Sequence, residues 1–386
     1  MDYNKESLRM HEKYKGKLEI KSKVPLRNKD DLSLAYTPGV AEPCKEIFKH
    51  KENVYKYTIK QNSVAIVSDG SSVLGLGNIG SYAGIPVMEG KALLFKEFAN
   101  IDAFPICIKS QNPDEIVETV KNIEPVFGGI NLEDIKAPEC FYIEERLKKE
   151  LDIPVMHDDQ HGTAIVILAA LINSLKLAGK KFSDIKIVVS GAGAAGLAFV
   201  NLLLSKEFIG KFGNFHDLIL VDSKGILYKG RDDMNEYKKK VLPFINKKNV
   251  KGELIDAFDK ADVFIGVSKG NIVNSEMIKK MNEKSIIFAM ANPVPEIMPD
   301  KALEAGAFIA GTGRSDFPNQ INNVLAFPGI FRGVLDSRAK EITTKMKINA
   351  AIALAGYVKD LNTQKILPSA LDKGVVNIIA NAMKLS

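Results

Sequence analysis

Cysteine is scarce in this sequence: three residues among 386, Cys44, Cys107 and Cys140, widely separated and with no C-x-x-C pair. They offer no disulfide framework and no cysteine-ligated metal, and read as reduced thiols of a cytoplasmic chain. A run of basic residues interleaved with aromatics is also missing. The net charge of +6 is spread over scattered lysines, which excludes a nucleic-acid groove and suits a mild field favouring small anionic substrates or cofactors. The first residues, MDYNKESLRMHEKYKGK, lack the apolar core of a signal peptide. The most apolar stretch, TAIVILAALINSLKLAG from Thr163, is interrupted by Asn173, Ser174 and Lys176 before the roughly 20 residues a membrane span needs, and reads as a buried helix. Long repeats and low-complexity tracts are absent. The expectation is a cytoplasmic globular protein with neither membrane nor nucleic acid as partner.

What is present fits that class: 46% apolar and 26% charged residues, with mean hydropathy near zero. The length exceeds one ordinary core and predicts two domains. Before Lys60 the chain is polar and irregular, with the turn-like YTPGVAEPC at Tyr36 to Cys44. Short apolar runs then recur: VAIVSDG, FPICIKS, IPVMHDD, IKIVVSG, LILVDSKG, VFIGVSKG, IIFAMANP and FIAGTGRSD. Each ends in small or polar residues, as parallel strands do where they deliver functional groups past their carboxyl ends. Segments such as NPDEIVETVKNIEP, with Pro113 and Glu115 near a helix start, read as crossover helices. The prediction is an α/β protein with a doubly wound, Rossmann-type part.

Two stretches match the dinucleotide fingerprint GxGxxG: GLGNIG at Gly75 to Gly80 and GAGAAG at Gly191 to Gly196. In a Rossmann unit the first glycine turns straight off the first strand, and an acid ends the second strand to bind the ribose. The run IKIVVS enters Gly191 directly, and Asp222 closes LILVD about 30 residues later. GLGNIG fails both tests, because DGSSVL intervenes and its nearest acid, Asp102, opens a strand. The cofactor loop is therefore Gly191, Ala192, Gly193, Ala194, Ala195 and Gly196. Asp222 favours NAD, since a carboxylate repels a 2′-phosphate. Ser223 and Lys224 beside it offer that phosphate a place, so NADP stays open.

Two adjacent carboxylate pairs, Glu133 with Asp134 and Asp158 with Asp159, lie near predicted strand ends and suit an oxygen-rich site for Mg²⁺ or Mn²⁺. The segment HDDQH also places His157 and His161 four apart, as in half of a zinc-peptidase helix. Pro154 and Gly162 predict a strand leading into a turn instead, and aspartate stands where the peptidase needs glutamate. Asn292, before Pro293, is biased toward an extended conformation that aims its amide into the crevice. Asn322 and Asn323 suit a carboxylate.

Read together, YTPGVAEPC, SDGSSVLGLGNIG, PVMEGKALLFK, NLEDI, HDDQHGTA, VVSGAGAAG, VDSKG, MANPVPE and TGRSDFPNQINNVLAFPGIFRG resemble the malic enzymes in their short prokaryotic-type form, with order and spacing intact from about Tyr36 to about Gly333. The resemblance implies oxidative decarboxylation of L-malate to pyruvate and CO₂ with NAD or NADP and a divalent cation, in a homodimer. It makes Lys91 the general base, Asp158 its tuning partner, Tyr36 the acid, and Glu133, Asp134 and Asp159 the metal ligands. Asn292 and Asn322 become cofactor or substrate contacts. The implied architecture is an N-terminal α/β catalytic domain, 1–157, completed by C-terminal helices, 323–386, and an NAD(P)-binding domain, 158–322. Larger malic enzymes carry an arginine where this chain has Ser72, so the substrate carboxylate must lean on backbone N–H groups, the asparagines or Ser72 itself. GLGNIG then reads as backbone passing close to the malate pocket. The stop at Ser386 implies no phosphotransacetylase-like extension. The rival readings are malolactic chemistry with retained NAD and a catalytically silent NAD-sensing or assembly module.

Overall fold

The apolar runs VAIV, IKIVV and LILV become strands buried on both faces, which is why they read as unbroken hydrophobic segments instead of alternating ones. In the computed structural model, which describes residues 2–73 and 75–384, the strands form two sheets; Ser386 lies outside the described residues. The first sheet holds β1 (Ser63–Ser68), β2 (Asp102–Cys107), β3 (Gly129–Leu132) and β4 (Val155–His157) in the order β2-β1-β3-β4, all parallel. The second holds β5 (Lys186–Ser190), β6 (Asp217–Asp222), β7 (Gly225–Ile226), β8 (Val263–Gly266), β9 (Ile286–Ala289) and β10 (Ile309–Thr312). Its order is β10-β9-β8-β5-β6-β7, parallel except for β7. Each sheet reverses its winding at its first strand, β1 or β5, and so opens a crevice at that strand's carboxyl end.

Crossovers form where the sequence predicts them. Pro113 opens the helix Pro113–Ile123, and Asn112 Oδ1 caps it by accepting from the N–H groups of Asp114 and Glu115 at 2.9 and 3.3 Å. β5 runs into Gly191, and the helix Ala194–Leu204 follows. A Cβ at Gly196 would lie 1.8 Å from the Gly191 carbonyl oxygen, so only glycine lets this helix start so close to the turn.

The helix Asp158–Ala178 joins the two halves. By length and composition it is the one helix among the described residues that could cross a membrane, but most of it is buried in the protein core. Asn173, which interrupts its apolar run, donates from Nδ2 to the carbonyls of Ala355 and Ile366 at 2.9 and 2.8 Å. These bonds tie the C-terminal chain to the core. The chain then returns to the first sheet: Phe327 and Phe331 of the helix Phe327–Ser337 meet Phe95 edge-on at centroid distances of 4.8 and 5.4 Å. The helix Gly374–Lys384 packs behind them. The fold is thus an N-terminal α/β unit followed by a Rossmann-type unit.

Two local expectations are corrected. The region before Lys60 is largely helical, with helices Tyr3–Tyr14, Lys29–Ala35 and Ala41–Lys49, none of which buries a residue. The signals that composition obscured are the caps Asp2 and Asn28, whose side chains accept from N–H groups in the first turns. The segment HDDQH does not turn after its strand either. β4 ends at His157 and the long helix starts at Asp158, with Gly162 inside it. That glycine marks a close approach: a Cβ there would lie 1.8 Å from Asp158 Oδ1.

Replacing Asn173 by alanine is expected to strand two buried carbonyls and destabilise the protein by about 2–4 kcal/mol. The check is a lower denaturation midpoint in urea.

Candidate active site

The carboxyl ends of β1, β3 and β4 converge. The loop from Asp69 to Gly80 leaves β1, Glu133 and Asp134 follow β3, and Asp158 and Asp159 open the helix after β4. Into this cluster the helix Gly80–Ala99 sends Lys91, only 8% exposed. Its Nζ donates to Asp158 Oδ2 at 2.7 Å and lies 2.8 Å from Glu133 Oε1, with the Phe327 ring centroid 4.1 Å away. Burial pushes this ammonium toward the neutral form, but Asp158, Glu133 and Asp159 outweigh it and hold its pKa above the ordinary lysine value.

Glu133, Asp134 and Asp159 place carboxylate oxygens within 4.8 Å of one another. Asn131 Nδ2 donates to Glu133 Oε2 at 2.8 Å, and the Asp134 N–H donates to Asp159 Oδ2 at 2.8 Å. Asp134 Oδ2 is buried without a partner. Burial, then repulsion from Asp159 and Glu133, pushes Asp134 up to about 9. Burial is also the main cause that pushes Asp159 up to about 6. A cluster of oxygen donors that holds protons against mutual repulsion, with one lone pair unsatisfied, has the donor set of a hard divalent cation. Among the described residues no histidine belongs to this donor group, although His157 Nε2 lies 3.6 Å from Asp159 Oδ2. His161 instead lies 2.9 Å from Glu144 Oε2 through Nε2 and 3.0 Å from Lys347 Nζ through Nδ1, while His157 sits before the helix as its N-cap.

A cavity of about 890 Å³ adjoins the cluster, with Ser72, Asp134, Asp159, Asn292, Asn322 and Asn323 on its walls. Gly75 and Gly77 of GLGNIG line it beside Ser72, and Gly193, Ala194 and Ala195 of GAGAAG line it from the second sheet. Asn323 is committed in part, because its Nδ2 donates to Asp158 Oδ2 at 2.6 Å. Asn322 Oδ1 accepts from the Val324 N–H at 2.9 Å. Tyr36 is not among the lining residues; it ends the exposed helix Lys29–Ala35 and is itself 68% exposed.

A second cavity, about 880 Å³, lies along the glycine turn and reaches Asp222, Ser223 and Lys224, with Gly191 and Ala192 at its near end. Sequence reasoning missed two cations there. Arg231 Nη2 contacts both Asp222 oxygens at 2.8 Å, and Lys238 Nζ donates to Asp222 Oδ2 at 2.7 Å. Burial raises the Asp222 pKa, but these partners and the Lys224 N–H outweigh it and leave the carboxyl below its usual value. The signal was the cationic segment RDDMNEYKKK just past the strand. It weakens the argument that Asp222 repels a 2′-phosphate.

A glycine turn at the switch point of a doubly wound sheet, beside a cavity walled by carboxylates and amides, defines an NAD(P)-dependent oxidoreductase of small molecules. The chain belongs to the malic enzymes. Residues 160–382 match the family model described as malic enzyme, NAD binding domain, and residues 15–114 and 109–148 match malic enzyme, N-terminal domain. The chain is 56% identical over 386 residues to a bifunctional malic/malolactic enzyme of Bacillus subtilis, covering 99% of this chain and 92% of that one. It is 53% identical to an NAD-dependent malic enzyme of Geobacillus stearothermophilus over 95% of this chain and 76% of that one. The crystal structure of an NAD-dependent malic enzyme from Thermotoga maritima superposes with a TM-score of 0.93 at 49% identity, covering 98% of each chain.

The carboxylate cluster sets a pH dependence. The folded-state pKa of Asp134, about 9, lies above the ordinary aspartate value of 3.8, so its contribution to stability is present at low pH and is lost as pH rises from about 4 to about 9. A cation at the cluster needs the deprotonated ligands. The rise in unfolding temperature on adding Mn²⁺ is therefore expected to grow between about pH 6 and pH 9. Scanning calorimetry across that range checks it, and a Mn²⁺ effect that shrinks with pH would count against this cluster.

Proposed function

We propose that this chain oxidatively decarboxylates L-malate to pyruvate and CO₂, reducing NAD or NADP, with Mg²⁺ or Mn²⁺ held by Glu133, Asp134 and Asp159. The observation that carries this reading is the place of Lys91, whose amine lies 2.8 Å from Glu133 and so shares one buried cluster with the proposed metal ligands. Lys91 takes the proton from the C2 hydroxyl of malate. Asp158, itself held by Asn323, orients the amine. A bound divalent cation would engage Glu133 and add positive charge beside Lys91, moving its pKa in the direction a base needs, and would polarise the substrate oxygens. Ser72, Asn292 and Asn322 supply neutral contacts for the substrate carboxylates, and the apolar walls at Val166 and Ile321 limit water. The working division is a catalytic part, 1–157 with 323–386, and a nucleotide part, 158–322.

Tyr36 is the proposed acid for enolpyruvate, and its exposure ties that role to a homodimer. The N-terminal segment presents Ile20 and Phe48, each 93% exposed, together with Leu34 and Tyr36. Apolar surface of this kind suits burial against a second copy. NAD is favoured as acceptor through Asp222. NADP is tolerated because Arg231, Lys238 and Lys224 surround that carboxylate.

The name of the Bacillus subtilis relative supports a second reading, conversion of malate to lactate and CO₂ with the dinucleotide retained. One assay separates the two. With malate, Mn²⁺ and NAD or NADP, the first gives pyruvate with equimolar reduced cofactor, and the second gives lactate without net reduction. Lys91→Ala is expected to lower kcat by about 10²–10⁴-fold, the usual range for a general base, while dinucleotide affinity measured by fluorescence stays nearly unchanged. A variant that keeps most of its rate would overturn the base assignment.

A further inference from the structure

The loop after β8 contains the sequence Val267-Ser268-Lys269-Gly270, which enters none of the roles assigned above. The two cavities are distinct in character: one holds the carboxylate cluster and the amides, the other the Asp222 ion pairs. Among the described residues they share only Gly193, Val267, Ser268 and Lys269. A dinucleotide laid along the crevice has two nucleoside halves and a single linking group, its pyrophosphate. The residues common to both cavities therefore flank that link. One of them, Gly193, is the fingerprint glycine that lets the pyrophosphate approach the backbone.

The glycine turn supplies N–H donors but no side-chain charge, since Ala192, Ala194 and Ala195 are apolar and the first turn of the helix Ala194–Leu204 has no ionised side chain. The other lysines on these walls are engaged: Lys224 with Asp233 at 2.9 Å and Lys238 with Asp222 at 2.7 Å. Lys269 has no carboxylate within ion-pair distance among the described residues. Its side chain is exposed, but the backbone that bears it is fixed. Glu296, fully buried, accepts from the Ser268 N–H at 2.9 Å and from its hydroxyl at 3.3 Å, and through its other oxygen from the Ala291 N–H at 3.0 Å. The Ser268 hydroxyl also meets Ser190, the last residue of β5, at 3.1 Å. Glu296 thus anchors the lysine loop to the Asn292 loop, and the Ser268 hydroxyl ties it to Ser190 at the entrance of the glycine turn.

We propose that Lys269 is the cation that holds the dinucleotide pyrophosphate, from a loop held in place by Glu296. The proposal rests on dinucleotide binding in this crevice and assigns the charge that binding needs. Lysine suits the task, because a flexible ammonium can serve either phosphate as a point charge.

The test uses the full chain and two probes that differ in the group at issue: ADP-ribose, which contains the pyrophosphate, and adenosine, which has no phosphate. Lys269→Met is expected to weaken ADP-ribose binding and raise KM for NAD by about tenfold each, as for loss of a charged hydrogen bond. Adenosine binding and KM for malate should stay within about twofold, the ionic-strength dependence of ADP-ribose affinity should flatten, and Lys269→Arg should recover most of the loss. Unchanged ADP-ribose affinity, or a loss confined to KM for malate or to NADP, would overturn the assignment and give the cation to the substrate or to a 2′-phosphate. If the unmodified protein binds neither probe, the underlying dinucleotide reading fails instead.

Discussion

One ammonium organises this protein. Lys91 is buried with Asp158 and Glu133 as direct partners and with Asp134 and Asp159 nearby, so one positive charge faces four carboxyl groups. Losing one partner of a buried ion pair typically costs about 3–5 kcal/mol, because the remaining charge is left uncompensated. Much of the surrounding structure serves this cluster. Asp158 and Asp159 sit in the first turn of a long helix, where the dipole favours negative charge. Asn131, Asn323 and the Asp134 N–H donate into it. Phe327, delivered by the returning C-terminal chain, turns its ring toward the amine.

That arrangement explains why the chain leaves the first sheet and later comes back. The helix Asp158–Ala178 starts in the carboxylate cluster and runs through the core toward the second sheet. After β10 the chain reaches Asn322 and Asn323 at the cavity, and the following helix packs on the one that bears Lys91. The cavity beside the cluster is thus walled by residues far apart in sequence, from Ser72 to Asn323.

Strands and their functional ends were legible because parallel strands buried on both faces write themselves as apolar runs ending in small or charged residues. The glycine turn was legible for the same reason, since β5 feeds Gly191 directly. Less local facts were not. Gly162 read as a turn after the strand, whereas its missing side chain makes room for Asp158 inside the helix, an interaction no periodicity reveals. The N-terminal helices were hidden because they bury nothing in this chain; the caps Asp2 and Asn28 announced two of them, whereas Ala41–Lys49 has no side-chain cap. Arg231 and Lys238 were missed because their meaning depends on tertiary contact with Asp222. The exposed position of Tyr36 likewise follows from where its helix sits.

The ion pairs around Asp222 bear on how such an enzyme changes its coenzyme over time. The cavity at Asp222 does not present a bare negative charge. It presents an acid already matched by an arginine and a lysine, with a second lysine adjacent. If the coenzyme meets Asp222 as proposed, turning these existing cations toward or away from one oxygen would shift the balance between two coenzymes. Relatives about half identical to this chain are named for NAD in some species and for NADP in others, the pattern of drift that so small an adjustment permits.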